Sequence, residues 1–371
     1  MNILVIGGGY AGLACLMALR RSFPATELHL FDSAPQHVQA TRLHQTLRRP
    51  LSEITRPFAD LAQQFGFTYH PQGVRFTAED LCRWQETKTL EIDGACLEFD
   101  FLVIAAGART RELPPGENVL IREDLARQDA GALLEQTLED VKGRAAEVAV
   151  VGGGATGLQF LFELRQWGAD HGRALNLRLI DLDSRLLSRL PEAFHRYLCR
   201  RLKAHAIAYH GATHYRGQRG GRIYLEPLDG GDPFDLPCDL VLGFPGVSAM
   251  PRLLETNRYG QVLADGLPLD CIFAAGDCSC YLSAGLNAQT AQAAMRKGAL
   301  VADNILRATE GRRLAPYLHR ELGYFISLGD RDGIGWLGLR ANVLTGLGAF
   351  AVKEALEAQY DLFLRGINTY I

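Results

Sequence analysis

Two glycine clusters in this sequence have the spacing of a phosphate cradle. Gly7-Gly8-Gly9-Tyr10-Ala11-Gly12 follows the apolar run Asn2-Ile3-Leu4-Val5-Ile6, and Gly152-Gly153-Gly154-Ala155-Thr156-Gly157 follows Glu147-Val148-Ala149-Val150-Val151. In such a cluster the first glycine (Gly7, Gly152) makes a tight turn. The second (Gly9, Gly154) lets a pyrophosphate approach the backbone, and the third (Gly12, Gly157) packs a helix against the strand. A helix that starts at once, here with Tyr10 and Ala11 in its first turn, offers unpaired N–H groups and a partial positive charge to phosphate oxygens. Asp32 and Asp181 each close the next apolar run, where a carboxylate grips ribose hydroxyls. An acid at Asp181 accepts from the 2′-hydroxyl of NADH and repels the 2′-phosphate of NADPH, and no arginine follows it before Arg185, so NADH is expected over NADPH. A third signal is Gly276-Asp277, which ends the apolar run Cys271-Ile272-Phe273-Ala274-Ala275.

The elements that must position these residues follow from periodicity. Leu13, Leu16, Met17 and Leu19 after the first turn, and Leu158, Leu161, Phe162 and Leu164 after the second, have helical spacing. Each helix leads to a further apolar run, 27–31 and 176–180, so two βαβ units stand 145 residues apart. That separation suits two nucleotide-binding domains rather than one doubly wound sheet. Buried strands are predicted at 101–106, ending at Ala106-Gly107, at 239–244, ending at Pro245-Gly246, and at 270–277. Residues 35–60 are read as irregular, 67–101 as short strands with turns, 288–306 as a helix, and 349–364 as a helix ending an aromatic, glycine-rich tail. The fold class is α/β with two Rossmann-like domains. The expected division is a first segment of one dinucleotide-binding domain at 1–112, an inserted second dinucleotide-binding domain at 113–262, the second segment of the first domain at 263–310 and a C-terminal region at 311–371.

The order of these motifs (glycine cluster, FLVIAAGA strand, second glycine cluster, CDLVLGFPGV strand, FAAGD strand) resembles the glutathione-reductase-like flavoproteins with two dinucleotide sites. The resemblance implies FAD on the first unit and NADH on the second. It also implies that Asp277 holds the ribityl chain, and that the following helix aims its N-terminus at the flavin edge where negative charge gathers on reduction. GGGATGLQFLFEL at 152–164, Thr290-Ala291-Gln292-Ala293-Ala294 and a tail with Leu322-Gly323 and Ser327-Leu328-Gly329 resemble type II NADH:quinone oxidoreductases. This resemblance implies hydride transfer from NADH to FAD and two-electron reduction of a small-molecule acceptor of quinone type. It places Gln159 near the nicotinamide, and Gln292 and Arg296 near the acceptor. Two positions depart from that pattern: Gln159 stands where the family has a Glu, and Arg296 where its AQxAxQ motif ends in Gln. An NADH-dependent reductase of a protein or non-quinone acceptor, and a redox-sensing NADH-binding flavoprotein, therefore stay open.

Composition narrows the classes further. Of the 371 residues, 47% are hydrophobic and 22% charged, with a net charge of −3 and no basic block, which argues against a nucleic-acid partner. The eight cysteines are scattered, with no CxxC or CxxxxC after either glycine turn, and a bridge within Cys278-Ser279-Cys280 would be strained. His205, His210 and His214 cross a helix-to-strand change, so no metal site is expected. His37 and His44 are candidates for proton relay in the irregular segment, and Tyr317, Tyr324, Phe325 and Trp336 either line an acceptor pocket or form a core that docks the tail on the FAD domain. Without a signal-peptide pattern or a spanning apolar stretch, a cytoplasmic protein is expected; peripheral contact with the inner face of a membrane and a homodimer remain open.

Overall fold

The apolar runs beside the glycine clusters form the centres of two parallel sheets. In the computed structural model, which describes residues 1–92, 94–249 and 253–367, the chain folds into two compact units. The first contains residues 1–38, 55–109 and 248–321, and the second 39–54, 110–247 and 322–371.

In the first unit Asn2–Ile6 lies between Glu27–Phe31 and Phe101–Ile104, paired in parallel with both. Thr68–His70 extends the sheet on one side and Leu267–Ala274 on the other, again in parallel. Strands buried on both faces carry unbroken apolar runs, as here, rather than alternating ones. The crossover between the first two strands forms the helix Tyr10–Ser22, and the helix Ala291–Thr309 packs against it. The opposite face carries a core that includes Leu4, Ile6, Phe31, Leu102, Ile104, Ile272 and Trp84. Trp84 comes from a helix, Ala78–Thr87, within a stretch read from the sequence as strands and turns. A capping box fixes its start: the Thr77 hydroxyl accepts from the Asp80 N–H, and the Asp80 carboxylate accepts from the Thr77 N–H.

The second unit repeats the plan. Ala146–Val151 lies between Leu175–Ile180 and Leu240–Gly243, with Ala208–His210 and Val119–Ile121 at the edges, all parallel. An antiparallel meander, Thr213–Arg219, Arg222–Pro227 and Phe234–Pro237, covers part of one face through Tyr215, Ile223 and Leu225. The tail adds what the sequence reading did not anticipate: a second antiparallel sheet, Gly323–Ser327, Gly333–Leu337 and Val343–Thr345, backed by the helix Leu347–Leu364. Phe325 and Trp336 are buried there, while Tyr317 is buried in the first unit. Residues 40–47, expected to be irregular, form a 3-10 helix that belongs to the second unit. Its polar side chains are tied to the tail helix: Gln39 Nε2 donates to Asp361 at 2.8 Å, Arg42 Nη1 pairs with Asp361 at 2.9 Å, and Gln45 Nε2 donates to Glu357 at 3.0 Å.

Candidate functional site

In each unit the glycine cluster sits where the sheet order reverses, at the carboxyl end of the central strand, which is where ligands bind in open α/β sheets. Gly7 N donates to Phe31 O at 2.8 Å, and Ala105 N donates to Ile6 O at 2.7 Å. The equivalent pair in the second unit is Gly152 N to Ile180 O at 2.8 Å and Phe244 N to Val151 O at 2.7 Å. Gly7 and Gly152 have φ of 99° and 108°, and a Cβ on either would lie 2.3 Å from Ala105 O or 2.0 Å from Phe244 O. Gly12 and Gly157 lie so close to the turn that a Cβ would fall 1.9 Å from Gly7 O or Gly152 O. Gly9 and Gly154 differ: both are exposed, have extended backbone, and would meet nothing within 4 Å. Each therefore borders open space at the start of a long helix whose first N–H groups lack intrahelical acceptors. No acid lies in the first turn of either helix to compete with a phosphate.

The acids stand beside these cradles. Asp32 Oδ2 accepts from Gly8 N at 2.7 Å and Oδ1 from Ala34 N at 2.8 Å. Burial pushes its carboxyl up, against the opposing effect of those two N–H groups. Asp181 Oδ1 accepts from Asp183 N at 2.9 Å, and burial likewise raises its carboxyl. The Arg185 guanidinium donates to Leu190 O at 3.0 Å and to Ser188 O. Ala106-Gly107 and Gly246 close the two cradles, with φ of 73° at Gly107 and 89° at Gly246 and open space beside both. Open glycines, helix N-termini and half-buried acids fit the phosphates and riboses of a dinucleotide in each unit.

Gly276 and Asp277 begin a short 3-10 turn after Leu267–Ala274. Gly276 has φ of 81°, and its Cβ would lie 2.9 Å from Ala11 Cβ, so the turn rests on the first helix. Gln292 and Arg296 lie half-buried on the first turns of Ala291–Thr309, capped by Thr290, whose hydroxyl accepts from Ala293 N at 3.2 Å. The positive charge of Arg296 is felt by Tyr317 and His319, both buried, and among the described residues His319 Nε2 has no hydrogen-bond partner. Sequence reasoning missed His319 and also Gly298, whose Cβ would lie 2.1 Å from Ala11 O; the small residues Ala11 and Gly298 let the two helices touch.

Gln159 lies in the second unit, on the helix Ala155–Asp170, and is buried. Its Nε2 is 3.1 Å from Ser327 Oγ and from His44 Nε2, and His44 Nε2 is 3.0 Å from Ser327 Oγ. Burial, followed by the charges of Lys353, Arg42 and Arg48, holds the His44 imidazole well below its ordinary range, so it is neutral. His37 belongs to the first unit, where its Nδ1 lies 3.0 Å from Gly8 O and its ring meets Tyr10 edge-on at 5.3 Å. Burial pushes its pKa down to about 4, so it too is neutral and donates from Nδ1 to the glycine turn. The two histidines read together in the sequence thus serve different units. All eight cysteines are free, with Cys278 buried, and among the described residues no group of three His, Cys, Asp or Glu is arranged to hold a metal.

Residues 1–298 match the family model for pyridine nucleotide-disulphide oxidoreductases. The type II NADH:quinone oxidoreductase of Staphylococcus epidermidis is 26% identical over 396 residues, covering 99% of this chain and 96% of its own. That of Staphylococcus aureus is 24% identical over 398 residues, with the same coverage. Among solved structures, NDH2 of Plasmodium falciparum in complex with NADH superposes with a TM-score of 0.82 at 14% identity, over 99% of this chain and 96% of that one. The sulfide:quinone oxidoreductase of Aquifex aeolicus gives 0.80 at 18% identity, over 99% and 92%. With a family model spanning most of its length and the paired cradles in place, this chain belongs to the pyridine nucleotide-disulphide oxidoreductase family.

Proposed function

We propose that the protein is an FAD-dependent NADH oxidoreductase that passes two electrons to a quinone-type acceptor. The observation that carries this reading is the duplicated cradle, with an open glycine, a helix N-terminus and an acid in each unit, together with relatives of matching length named as NADH:quinone oxidoreductases. The first unit, with Gly7, Gly9, Tyr10, Ala11, Gly12, Asp32, Ala106, Gly107, Gly276 and Asp277, is assigned to FAD. The second, with Gly152, Gly154, Gly157, Asp181 and Gly246, is assigned to NADH. FAD, when bound, supplies the two-electron relay between NADH and the acceptor.

The chain's own residues place and bias these partners. Helix N-termini hold the pyrophosphates, and Asp32 and Asp181 hold riboses. The Asp181 carboxylate, with Arg185 turned to backbone carbonyls, disfavours a 2′-phosphate. Gln159 is assigned to the nicotinamide side, where it offers an amide in place of an ionisable carboxyl, held by His44 and Ser327. Gln292 and Arg296 are assigned to the acceptor, beside Tyr317 and His319. The exposed Leu282, Leu286 and Leu318 near them give an apolar acceptor an entry surface.

No described helix is long and apolar enough to cross a membrane. Exposed Leu337, Leu339, Leu344 and Leu347 on the tail sheet and the start of its helix, with Arg340 beside them, are assigned to peripheral contact with a bilayer. Co-flotation with anionic vesicles, lost in Leu339→Glu, checks this; flotation unchanged by that substitution counts against it.

The function is tested by mixing the yellow protein with NADH without oxygen, then adding a short-chain quinone while following the flavin band. Rapid bleaching and rapid recovery are expected. Bleaching without recovery by quinone would refute the acceptor and favour a carrier reductase or a sensor.

A further inference from the structure

Among the described residues Lys297 is the most deeply buried cation in the first unit, with 2% of its surface exposed, although it sits beside the half-buried Arg296 on the helix Ala291–Thr309. Its Nζ donates to Ser279 O at 2.7 Å, to Ser279 Oγ at 3.2 Å and to Gly276 O at 3.4 Å. Three acceptors match the three protons of an ammonium. Those acceptors are the two ends of the turn that presents Asp277. Ser279 Oγ donates in turn to Gly276 O at 2.7 Å, closing the loop on itself. The ring of Tyr281 faces the ammonium at 4.8 Å and that of Tyr317 at 5.8 Å, both suited to a cation. Among the described residues Lys297 has no carboxylate within 4.0 Å; the charge is solvated by carbonyls, a hydroxyl and ring faces, with Asp277 its favourable carboxylate neighbour at longer range.

A buried ammonium is costly even when it is fully hydrogen-bonded, because no carboxylate here repays its lost hydration at close range. Burial pulls its pKa down to about 8, so it remains largely protonated at neutral pH. The next residue, Gly298, is the contact with Ala11 that seats the helix on the FAD cradle's own helix. Lys297 therefore ties the helix Ala291–Thr309 to the Asp277 turn, while Gly298 beside it seats the same helix on the cradle helix.

We infer that Lys297 is a positioning residue that clamps the Gly276–Ser279 turn and, by its charge, biases bound flavin toward its reduced, more negative form. This rests on the assignment of FAD to the first unit. A fixed positive charge in a site of low dielectric favours the redox state with more negative charge and so raises the midpoint potential.

The test uses Lys297→Met and Lys297→Gln, the second keeping a hydrogen-bond donor should the first fail to fold. Flavin content, the flavin dissociation constant and the midpoint potential by anaerobic dye equilibration are measured for each and for the wild type. At least a tenfold loss in preference for reduced over oxidised flavin is expected, a fall of about 30 mV for a two-electron couple. Weaker flavin binding should accompany it, more in Lys297→Met than in Lys297→Gln. A flavin-loaded variant with the wild-type potential would overturn the inference. A wild-type protein that binds no flavin would instead refute the reading on which it stands.

Discussion

Gly9 and Gly154 offer a clean way to separate the two nucleotide sites. Both have φ near −70° and extended ψ, a conformation alanine adopts without strain, and neither has a neighbour within 4 Å of an added Cβ. In Gly9→Ala two small terms oppose one another. Restricting the unfolded chain stabilises by about 0.4–1 kcal/mol, while replacing glycine by alanine at an N-cap costs a similar amount. The unliganded fold should therefore stay within about 1 kcal/mol of the wild type. The methyl instead enters the space assigned to the pyrophosphate. Losing one charge-assisted hydrogen bond there costs about 1.5–3 kcal/mol, or about 10- to 100-fold in affinity. Gly9→Ala is thus expected to weaken FAD binding by that factor, measured by fluorescence titration of the apoprotein. Gly154→Ala should retain FAD and raise the NADH dissociation constant by a similar factor in stopped-flow bleaching. Gly12→Ala is the contrast: its Cβ falls 1.9 Å from Gly7 O, roughly 1.5 Å short of ordinary contact. Its main effect should be on stability, about 1–3 kcal/mol by denaturant unfolding. If Gly9→Ala bound FAD with wild-type affinity, the cradle would not be the pyrophosphate site.

Asp181→Ser should improve the kcat/KM for NADPH relative to NADH by about tenfold, since it removes like-charge repulsion and one ribose acceptor; an unchanged ratio would count against this acid as the discriminator. Gln292→Ala should raise the quinone KM while leaving flavin reduction by NADH within about twofold, and an unaltered KM would move the acceptor elsewhere. His37 is neutral in the fold with a pKa near 4, against about 6.5 when exposed, so the unfolded chain binds its proton first as pH falls. Stability should drop between about pH 6.5 and 4, by about 3 kcal/mol from this group. His37→Gln should show a flatter denaturant midpoint over that range, and a parallel pH profile would remove His37 from the account.

What the sequence made legible was local. Unbroken apolar strands, glycines in positions that forbid a Cβ, and acids at strand ends are properties of short windows, and the observed parallel sheets follow them closely. The helix Ala78–Thr87 had a usable signal in Thr77 and Asp80 with Leu81 and Trp84 at helical spacing, outweighed by the turn residues around it. Lys297 had none. Next to Arg296 it reads as one more solvated cation, and only the return of the Gly276–Ser279 turn beneath the helix buries it. Nor could any window show that Gln45 meets Glu357, 312 residues away, or that Gln159 would find His44 and Ser327 rather than solvent.

Those distant pairings also bear on the order in which the protein can be built. Arg42, Gln39 and Gln45 emerge early, yet their partners Glu357 and Asp361 lie more than 300 residues later. At roughly 5–20 residues per second, this early segment waits on the order of 15–60 s for the carboxylates that neutralise it. Until then the second unit holds unpaired polar groups where its interior will be. A nascent chain halted before the tail would keep that seam open, a recognisable mark of incompleteness for chaperones and proteases.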